Sequence, residues 1–262
     1  MQTFAFPQWL VLLALLSNPL AAAEWGTLTG RFVYDGDPPV PQKIDLNKDV
    51  AVCSKKPPVD EALLVHPKNR GVANVIVTLE LKKGEKLTGF HPDYAKTKNA
   101  KIGMTNEFCR FEPRVTLLRT TQTLVIGNDD SVPHNTLAYL SYNNPFNETV
   151  SGGASITQQL RKSERRASMV KCSIHGWMTC WLVIREDPYM AVTDKDGRFT
   201  IRNMPSGEWT FRFWQEKAGY LSRIELGGQT VEDKKGLYRL PVDKDKVDLG
   251  EIHLSPKLFA GP

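Results

Sequence analysis

Short apolar runs close to turn-forming residues dominate this sequence, and they argue against a helical fold. Segments such as Val75–Leu79, Thr123–Ile126 and Thr179–Ile184 are rich in branched or apolar residues and lie near Gly, Pro, Asn or Asp. Such runs are typical of β-strands, whereas the repeat of an amphipathic helix is scarce in this chain. With 262 residues, the chain is long enough for two small β domains. The sequence therefore predicts an all-β protein.

The first 23 residues have the pattern of an export signal. An apolar core, Trp9–Leu16, is followed by the small residues Ala21, Ala22 and Ala23, which form a cleavage site. This segment is too short to span a bilayer, and no later stretch is apolar enough to do so. We therefore expect cleavage after Ala23 and a mature protein without a membrane span, located in a periplasm or outside the cell.

Residues that bind soft metals are concentrated in one short segment. Cys172, His175 and Met178 have the spacing C-x2-H-x2-M between two predicted strands, and His134 lies upstream in Pro133-His134-Asn135. A thiolate, two imidazoles and a thioether suit copper in a trigonal site with a weak axial sulfur, which is the geometry of electron-transfer copper. The pattern predicts one type 1 (blue) copper ion.

Two other metal sites fit the pattern less well. Structural zinc takes four Cys or His ligands and has no use for Met178. A copper A centre needs a second bridging cysteine before the histidine, but Cys180 follows Met178. Mononuclear copper is therefore the favoured hypothesis.

These residues resemble the small blue copper proteins, the cupredoxins, and especially those of the amicyanin type with a short C-x2-H-x2-M loop. The resemblance implies a Greek-key sandwich over residues 72–186 and a supporting role for Asn135, which hydrogen-bonds the two ligand loops together in cupredoxins. It also implies that Trp177 lies in an exposed apolar patch around the second histidine, through which relatives pass electrons. The implied copper ligands are His134, Cys172, His175 and Met178.

A second resemblance covers the C-terminal part of the chain. The pattern T-D-x-x-G-x-F-x-I at Thr193–Ile201, followed by a P-x-G turn at Pro205, resembles the carboxypeptidase regulatory-like, or transthyretin-like, β-sandwich. We assign residues 187–255 to this domain. Its pattern usually opens with a strand such as Gly26–Tyr34, so residues 24–50 are expected to join it, with the cupredoxin domain inserted between the two parts.

The four cysteines can be paired in more than one way in an exported chain. If Cys172 binds copper, one disulfide and one free thiol remain. We favour a Cys53–Cys109 bridge, because both residues lie beside turn-forming or polar residues, and we place Cys180 in the core. A Cys172–Cys180 disulfide across the hairpin is the alternative.

Charge and the lack of a catalytic pattern restrict the function. Lys and Arg number 34 against 29 Asp and Glu, and no basic stripe is interleaved with aromatic residues, so nucleic-acid binding is not expected. No nucleophile–base or carboxylate pair is evident, and four protein ligands leave no position for a substrate. We expect an electron carrier between redox proteins, such as a cytochrome or an oxidoreductase, rather than an enzyme. The alternatives are a copper carrier or scavenger and a cell-surface β-sandwich interaction module; the oligomeric state stays open.

Overall fold

The computed structural model describes residues 24–87 and 89–260, and the predicted signal peptide lies outside these residues. It confirms the predicted all-β fold. Two one-turn helices, α1 (Val50–Cys53) and α2 (Asp93–Lys96), and the 3-10 helix Pro256–Phe259 accompany the strands. The strands are β1 (Trp25–Tyr34), β2 (Ile76–Leu79), β3 (Lys101–Glu107), β4 (Arg110–Glu112), β5 (Val115–Arg119), β6 (Thr123–Asn128), β7 (His134–Ala138), β8 (Phe146–Val150), β9 (Ser155–Gln158), β10 (Ser168–Lys171), β11 (Thr179–Arg185), β12 (Met190–Val192), β13 (Arg198–Pro205), β14 (Gly207–Gln215), β15 (Gly219–Tyr220), β16 (Arg223–Leu226), β17 (Gln229–Glu232), β18 (Leu237–Val242) and β19 (Asp245–Leu254).

These strands form four sheets that pack into two sandwiches. The terminal sandwich consists of the sheet β13-β1-β19-β16-β17 and the sheet β12-β2-β14-β15, in which β18 also pairs with β14. The central sandwich consists of the sheets β5-β11-β10-β7-β8 and β4-β3-β6-β9. Each sandwich has its own buried apolar core, as two-layer β folds require.

The N-terminal strand lies in the same sheet as C-terminal strands. β1 pairs with β13 in antiparallel fashion and with β19 in parallel fashion. Alternate residues of β1, including Leu28 and Phe32, are buried, which is the period of a strand with one face on the core. The Phe32 ring meets the ring of Phe213 from the opposite sheet edge-to-face, with their centroids 5.1 Å apart. The first and last strands of the described residues thus belong to one sheet.

The strand β2 belongs to the terminal sandwich, and not to the start of the central one, where the range 72–186 would place it. β2 pairs with β12 and with β14, where Val77 lies opposite Phe213 and Leu79 opposite Phe211. All four residues of β2 are buried, so its sequence shows no alternation that would indicate which face meets which core. The central sandwich therefore begins at β3, near Lys101, and not at residue 72.

A small apolar interface joins the two sandwiches. Ile76 of the terminal sandwich is buried with Val115 and Val183 of the central one. The rings of Trp181 and Trp214 meet across this interface with centroids 4.7 Å apart. The structure therefore places Trp181 between the sandwiches. Within the described ranges, no helix is long and apolar enough to cross a membrane.

The connection between β1 and β2 crosses from the terminal sandwich onto the central one. Residues 42–60 form a loop, here called the capping loop, whose base is closed by a β-bridge between Lys43 and Val59. Its tip carries α1, and Cys53 at the end of α1 is buried in the core of the central sandwich. Just after the loop, a Glu61 carboxylate oxygen lies 2.6 Å from the Arg110 guanidinium. The capping loop is thus attached to the sandwich that contains the candidate site.

The buried carboxylate of Glu164 holds a loop of the central sandwich. It accepts hydrogen bonds from the backbone N–H groups of Ser141, Tyr142 and Asn143 at 2.9–3.0 Å, and from the side-chain amide of Asn143 at 3.0 Å. Burial alone would raise the pKa of Glu164, but these donors outweigh it and lower the pKa below the usual range for glutamate. The charged form is therefore the one that stabilises the fold.

We expect Glu164→Gln to lower the free energy of unfolding by about 2 kcal/mol near neutral pH, because hydrogen bonds to a charged acceptor are lost. Since the pKa of Glu164 is lower in the folded state, its contribution is complete above the unfolded pKa. It is lost as the pH falls through the folded pKa, so the two proteins converge in acid. Urea unfolding at several pH values measures this. The exposed Glu225→Gln is the control, and a deficit that is constant with pH would contradict the prediction.

Candidate metal centre

Strand pairing brings together the two segments that carry the predicted ligands. His134 is the first residue of β7, Cys172 directly follows β10, and Met178 directly precedes β11. β10 is hydrogen-bonded to both β7 and β11, so the ends of these strands are neighbours in one sheet. A histidine that is distant in sequence is therefore placed beside the Cys172–Met178 loop by rigid elements.

Three of the four predicted ligands have donor atoms that converge. One donor atom from each of His134, Cys172 and His175 lies within 4.8 Å of the others. Cys172 Sγ is 3.8 Å from His175 Nδ1, and the two imidazole centroids are 4.7 Å apart. The exposed fraction of these side chains is 2% or less. Two nitrogens and one sulfur could therefore share a single buried metal ion.

His134 is held with one ring nitrogen free. Its Nε2 lies 2.8 Å from the carboxylate Oδ2 of Asp130, which can only accept, so the proton is on Nε2. The remaining nitrogen, Nδ1, is buried without a hydrogen-bond partner. Burial lowers the pKa of His134 below the usual range and so favours the neutral imidazole, which is the form that binds metals. A buried lone pair without a donor fits a metal ion.

His175 has the same arrangement with a different carboxylate. Its Nε2 lies 2.8 Å from Oδ2 of Asp49 in the capping loop, and its Nδ1 is the nitrogen near Cys172. Histidines that bind metals commonly donate their second ring N–H to a carboxylate in this way. Nδ1 of His175 is therefore the nitrogen beside the sulfur, and a ring nitrogen of His134 also lies within 4.8 Å of that sulfur.

The surroundings of His175 differ from the exposed patch that the resemblance implied. The side chain of His175 is fully buried. The ring of Trp177 lies 5.2 Å from that of His175, and its indole N–H donates to the backbone oxygen of Cys109 at 3.2 Å. Trp177 is half-buried. The capping loop and its disulfide partner thus cover the His175 ring, around which we expected an exposed apolar patch.

The Cys172–Met178 loop is closed by its own backbone. The N–H of Met178 donates to the oxygen of His175 at 2.9 Å, and the oxygen of Met178 accepts from the N–H of Cys172 at 3.2 Å. Cys172 is a free thiol, and its sulfur accepts from the backbone N–H groups of Asn135 at 3.3 Å and His175 at 3.4 Å. The side chain of Met178 is buried with Cys172 in the core of the central sandwich.

Asn135 connects the two ligand segments. Its side-chain oxygen accepts from the backbone N–H of Ser173 at 3.2 Å and from the Ser173 hydroxyl at 2.9 Å. Its side-chain nitrogen donates to the backbone oxygen of Glu148 at 3.4 Å on the neighbouring strand β8. The amide thus holds the Cys172 loop against β7.

The other cysteines lie close to this cluster. Cys53 and Cys109 form a disulfide, and their sulfurs lie within 4.8 Å of a ring nitrogen of His175. Cys180 is a free, buried thiol whose Sγ is 3.4 Å from Sδ of Met104. There is no Cys172–Cys180 bond among the described residues.

Sequence reasoning did not identify the two carboxylates that orient the histidines. Asp130 had a local signal, because it lies four residues before His134 in the same turn. Asp49 is 126 residues from His175 and had none.

No protein-family model matches the sequence, and no curated protein matches it significantly. Solved structures give partial matches. A Cu-containing nitrite reductase from Thermus scotoductus SA-01 is 15% identical with a TM-score of 0.31, over 42% of this chain and 26% of that one. A purple cupredoxin from Nitrosopumilus maritimus is 21% identical with a TM-score of 0.27, over 33% and 99%. An oxidized amicyanin variant is 12% identical with a TM-score of 0.29, over 32% and 82%. The match thus spans about a quarter of the nitrite reductase, and each superposition covers less than half of this chain.

Proposed function

We propose that this chain is an exported copper protein that carries single electrons between redox partners. His134, Cys172 and His175 would be the equatorial ligands, and Met178 the axial ligand. One observation carries the proposal: a ring nitrogen of each of His134 and His175 and one free thiol converge within 4.8 Å in a buried space, and Nδ1 of His134 has no hydrogen-bond partner. When bound to such a donor set, copper supplies a one-electron couple.

The residues around the donors would keep them in place. Asp130 and Asp49 hold the two imidazoles in the tautomer that leaves Nδ1 free, at 2.8 Å each. Asn135 ties the cysteine loop to β7. A site held by two strand connections changes little when the charge of the metal changes, and this limits the reorganisation that slows electron transfer. Burial of all three donors excludes water from the site.

Export and redox partners are part of the same proposal. A disulfide is stable in a periplasm or outside the cell, where a leader such as residues 1–23 would direct the chain. A cytochrome or an oxidoreductase would be the partner. We propose no enzymatic role, because four protein donors would leave no position on the metal for a substrate.

Titration of the purified metal-free protein with Cu(II) tests the proposal. We expect one copper per chain and an intense visible absorption, which a one-electron reductant removes and an oxidant restores. A copper carrier would instead prefer Cu(I) and release it readily to chelators without this absorption. An interaction module would bind no stoichiometric copper, and either result would contradict electron transfer at this site.

A further inference from the structure

The capping loop supplies a charged group to a site that lies in another sandwich. Asp49 has a left-handed backbone conformation with φ of 47°, which is uncommon for a residue with a side chain. It is the N-cap residue of α1, and its backbone oxygen accepts from the N–H groups of Val52 and Cys53 at 2.9 and 3.0 Å. Its carboxylate meets His175 at 2.8 Å. Within the capping loop, a left-handed backbone therefore occurs at the residue that contacts His175.

The disulfide fixes the same turn of chain. Cys53 is the last residue of α1, so its bond to Cys109 anchors the helix that Asp49 begins. The backbone N–H of Cys109 donates at 2.8 Å to the Asp130 oxygen that also contacts His134. The disulfide thus connects the helix beside Asp49, which contacts His175, to the turn held by Asp130, which contacts His134. No solvent reaches the His175 ring, whereas 31% of the Asp49 side chain is exposed.

We propose that Asp49 is a positioning residue for His175, and that the disulfide-anchored capping loop closes the metal site against exchange with solvent. The inference rests on the proposed function, because it concerns the same site. Asp49 holds the proton on Nε2 of His175 and so leaves Nδ1 for the metal. The loop covers the ring edge through which a chelator or a water molecule would otherwise reach the site.

Two substitutions of Asp49 separate its charge from its hydrogen bond. Asp49→Ala removes the acceptor, and we expect copper affinity to fall about 10- to 100-fold, as for other groups that support metal-bound histidines. We also expect at least a tenfold faster loss of copper to EDTA.

Asp49→Asn keeps an acceptor oxygen without the charge, so the rate of copper loss should stay close to wild type. The reduction potential should rise, because a neutral partner makes His175 less electron-rich. Asp45→Asn, at an exposed position of the same loop, is the matched control and should change neither quantity.

The disulfide is tested by reducing the metal-free protein and removing the reductant before copper is added, and by the double variant Cys53→Ala/Cys109→Ala, with near-ultraviolet circular dichroism as the check on folding. Both should accelerate copper loss to a similar extent as Asp49→Ala. Equal loss rates in wild type, Asp49→Ala and the reduced protein would overturn the inference. Asp49→Ala leaves the disulfide intact, so it keeps the test valid even if the double variant does not fold.

A metal-free measurement distinguishes failure of this inference from failure of the proposed function. Nitrogen-15 NMR of the imidazoles reports which ring nitrogen of His175 carries the proton. We expect Nε2–H in the wild type and a mixture of tautomers in Asp49→Ala. If the wild type bound no copper but showed this change, only the proposed function would fail. An unchanged tautomer in Asp49→Ala would reject the positioning role whether or not copper binds.

Discussion

Replacing Cys172 by alanine is expected to abolish the intense visible absorption of the Cu(II)-loaded protein and to weaken copper binding by more than 100-fold. The absorption of a blue copper site arises from the bond between Cu(II) and a cysteine thiolate, and Cys172 is the free sulfur that lies 3.8 Å from His175 Nδ1. Loss of groups that merely support metal ligands already costs about 10- to 100-fold in affinity. Absorption spectroscopy and a competitive copper titration measure both effects.

Cys180→Ala is the matched control for this variant. Cys180 is a second free thiol, but it is fully buried, and burial raises the pKa of its thiol. A thiol that stays protonated in an apolar core is no metal ligand. Its removal should leave the spectrum unchanged and cost about 1 kcal/mol of stability, as for a small cavity. Visible absorption that survives in Cys172→Ala, or disappears in Cys180→Ala, would show that Cys172 is not the copper-binding sulfur.

The convergence of Cys172 and His175 was accessible from the sequence because these residues are local. Cys172, His175 and Met178 lie on one loop, so their spacing alone brings their backbones together. The fold class was similarly accessible, because strand-length apolar runs and turn residues recur along the whole chain. Neither inference needed to know which strands pair.

Features that depend on long-range pairing could not be predicted. The apolar run in β2 suits either core equally well, and its place is decided by aromatic residues of β14 more than a hundred positions later, such as Phe213. Asp49 could not be identified for the same reason, because its contact with His175 depends on how the capping loop crosses between the sandwiches. The exposed apolar patch around His175 was implied by the cupredoxin resemblance, but the capping loop covers this histidine.

Asp130→Ala is expected to affect folding and metal binding together. The Asp130 carboxylate accepts from the backbone N–H groups of Phe108 and Cys109 and from Nε2 of His134, each at 2.8 Å. Phe108 and Cys109 both have left-handed backbones, with φ of 52° and 54°, so this carboxylate holds an unfavourable turn. Alanine would leave these donors unpaired, and we expect the free energy of unfolding of the metal-free protein to fall by about 3 kcal/mol or more.

The copper affinity of Asp130→Ala should fall about 10- to 100-fold as well, because His134 loses the acceptor that keeps its Nδ1 free. The neighbouring Asp129→Ala is the control: Asp129 is exposed and accepts from the Thr105 hydroxyl at 2.8 Å, so little should change. Urea unfolding without metal isolates the structural part, and copper titration under native conditions isolates the binding part. A variant with lower stability but wild-type copper affinity would show that Asp130 supports only the turn.

Asp49→Ala should instead lower copper affinity with little loss of stability, because the Asp49 carboxylate is partly exposed and accepts from one ring nitrogen. If both carboxylates orient the imidazoles, the two variants should therefore lose similar copper affinity while differing widely in stability.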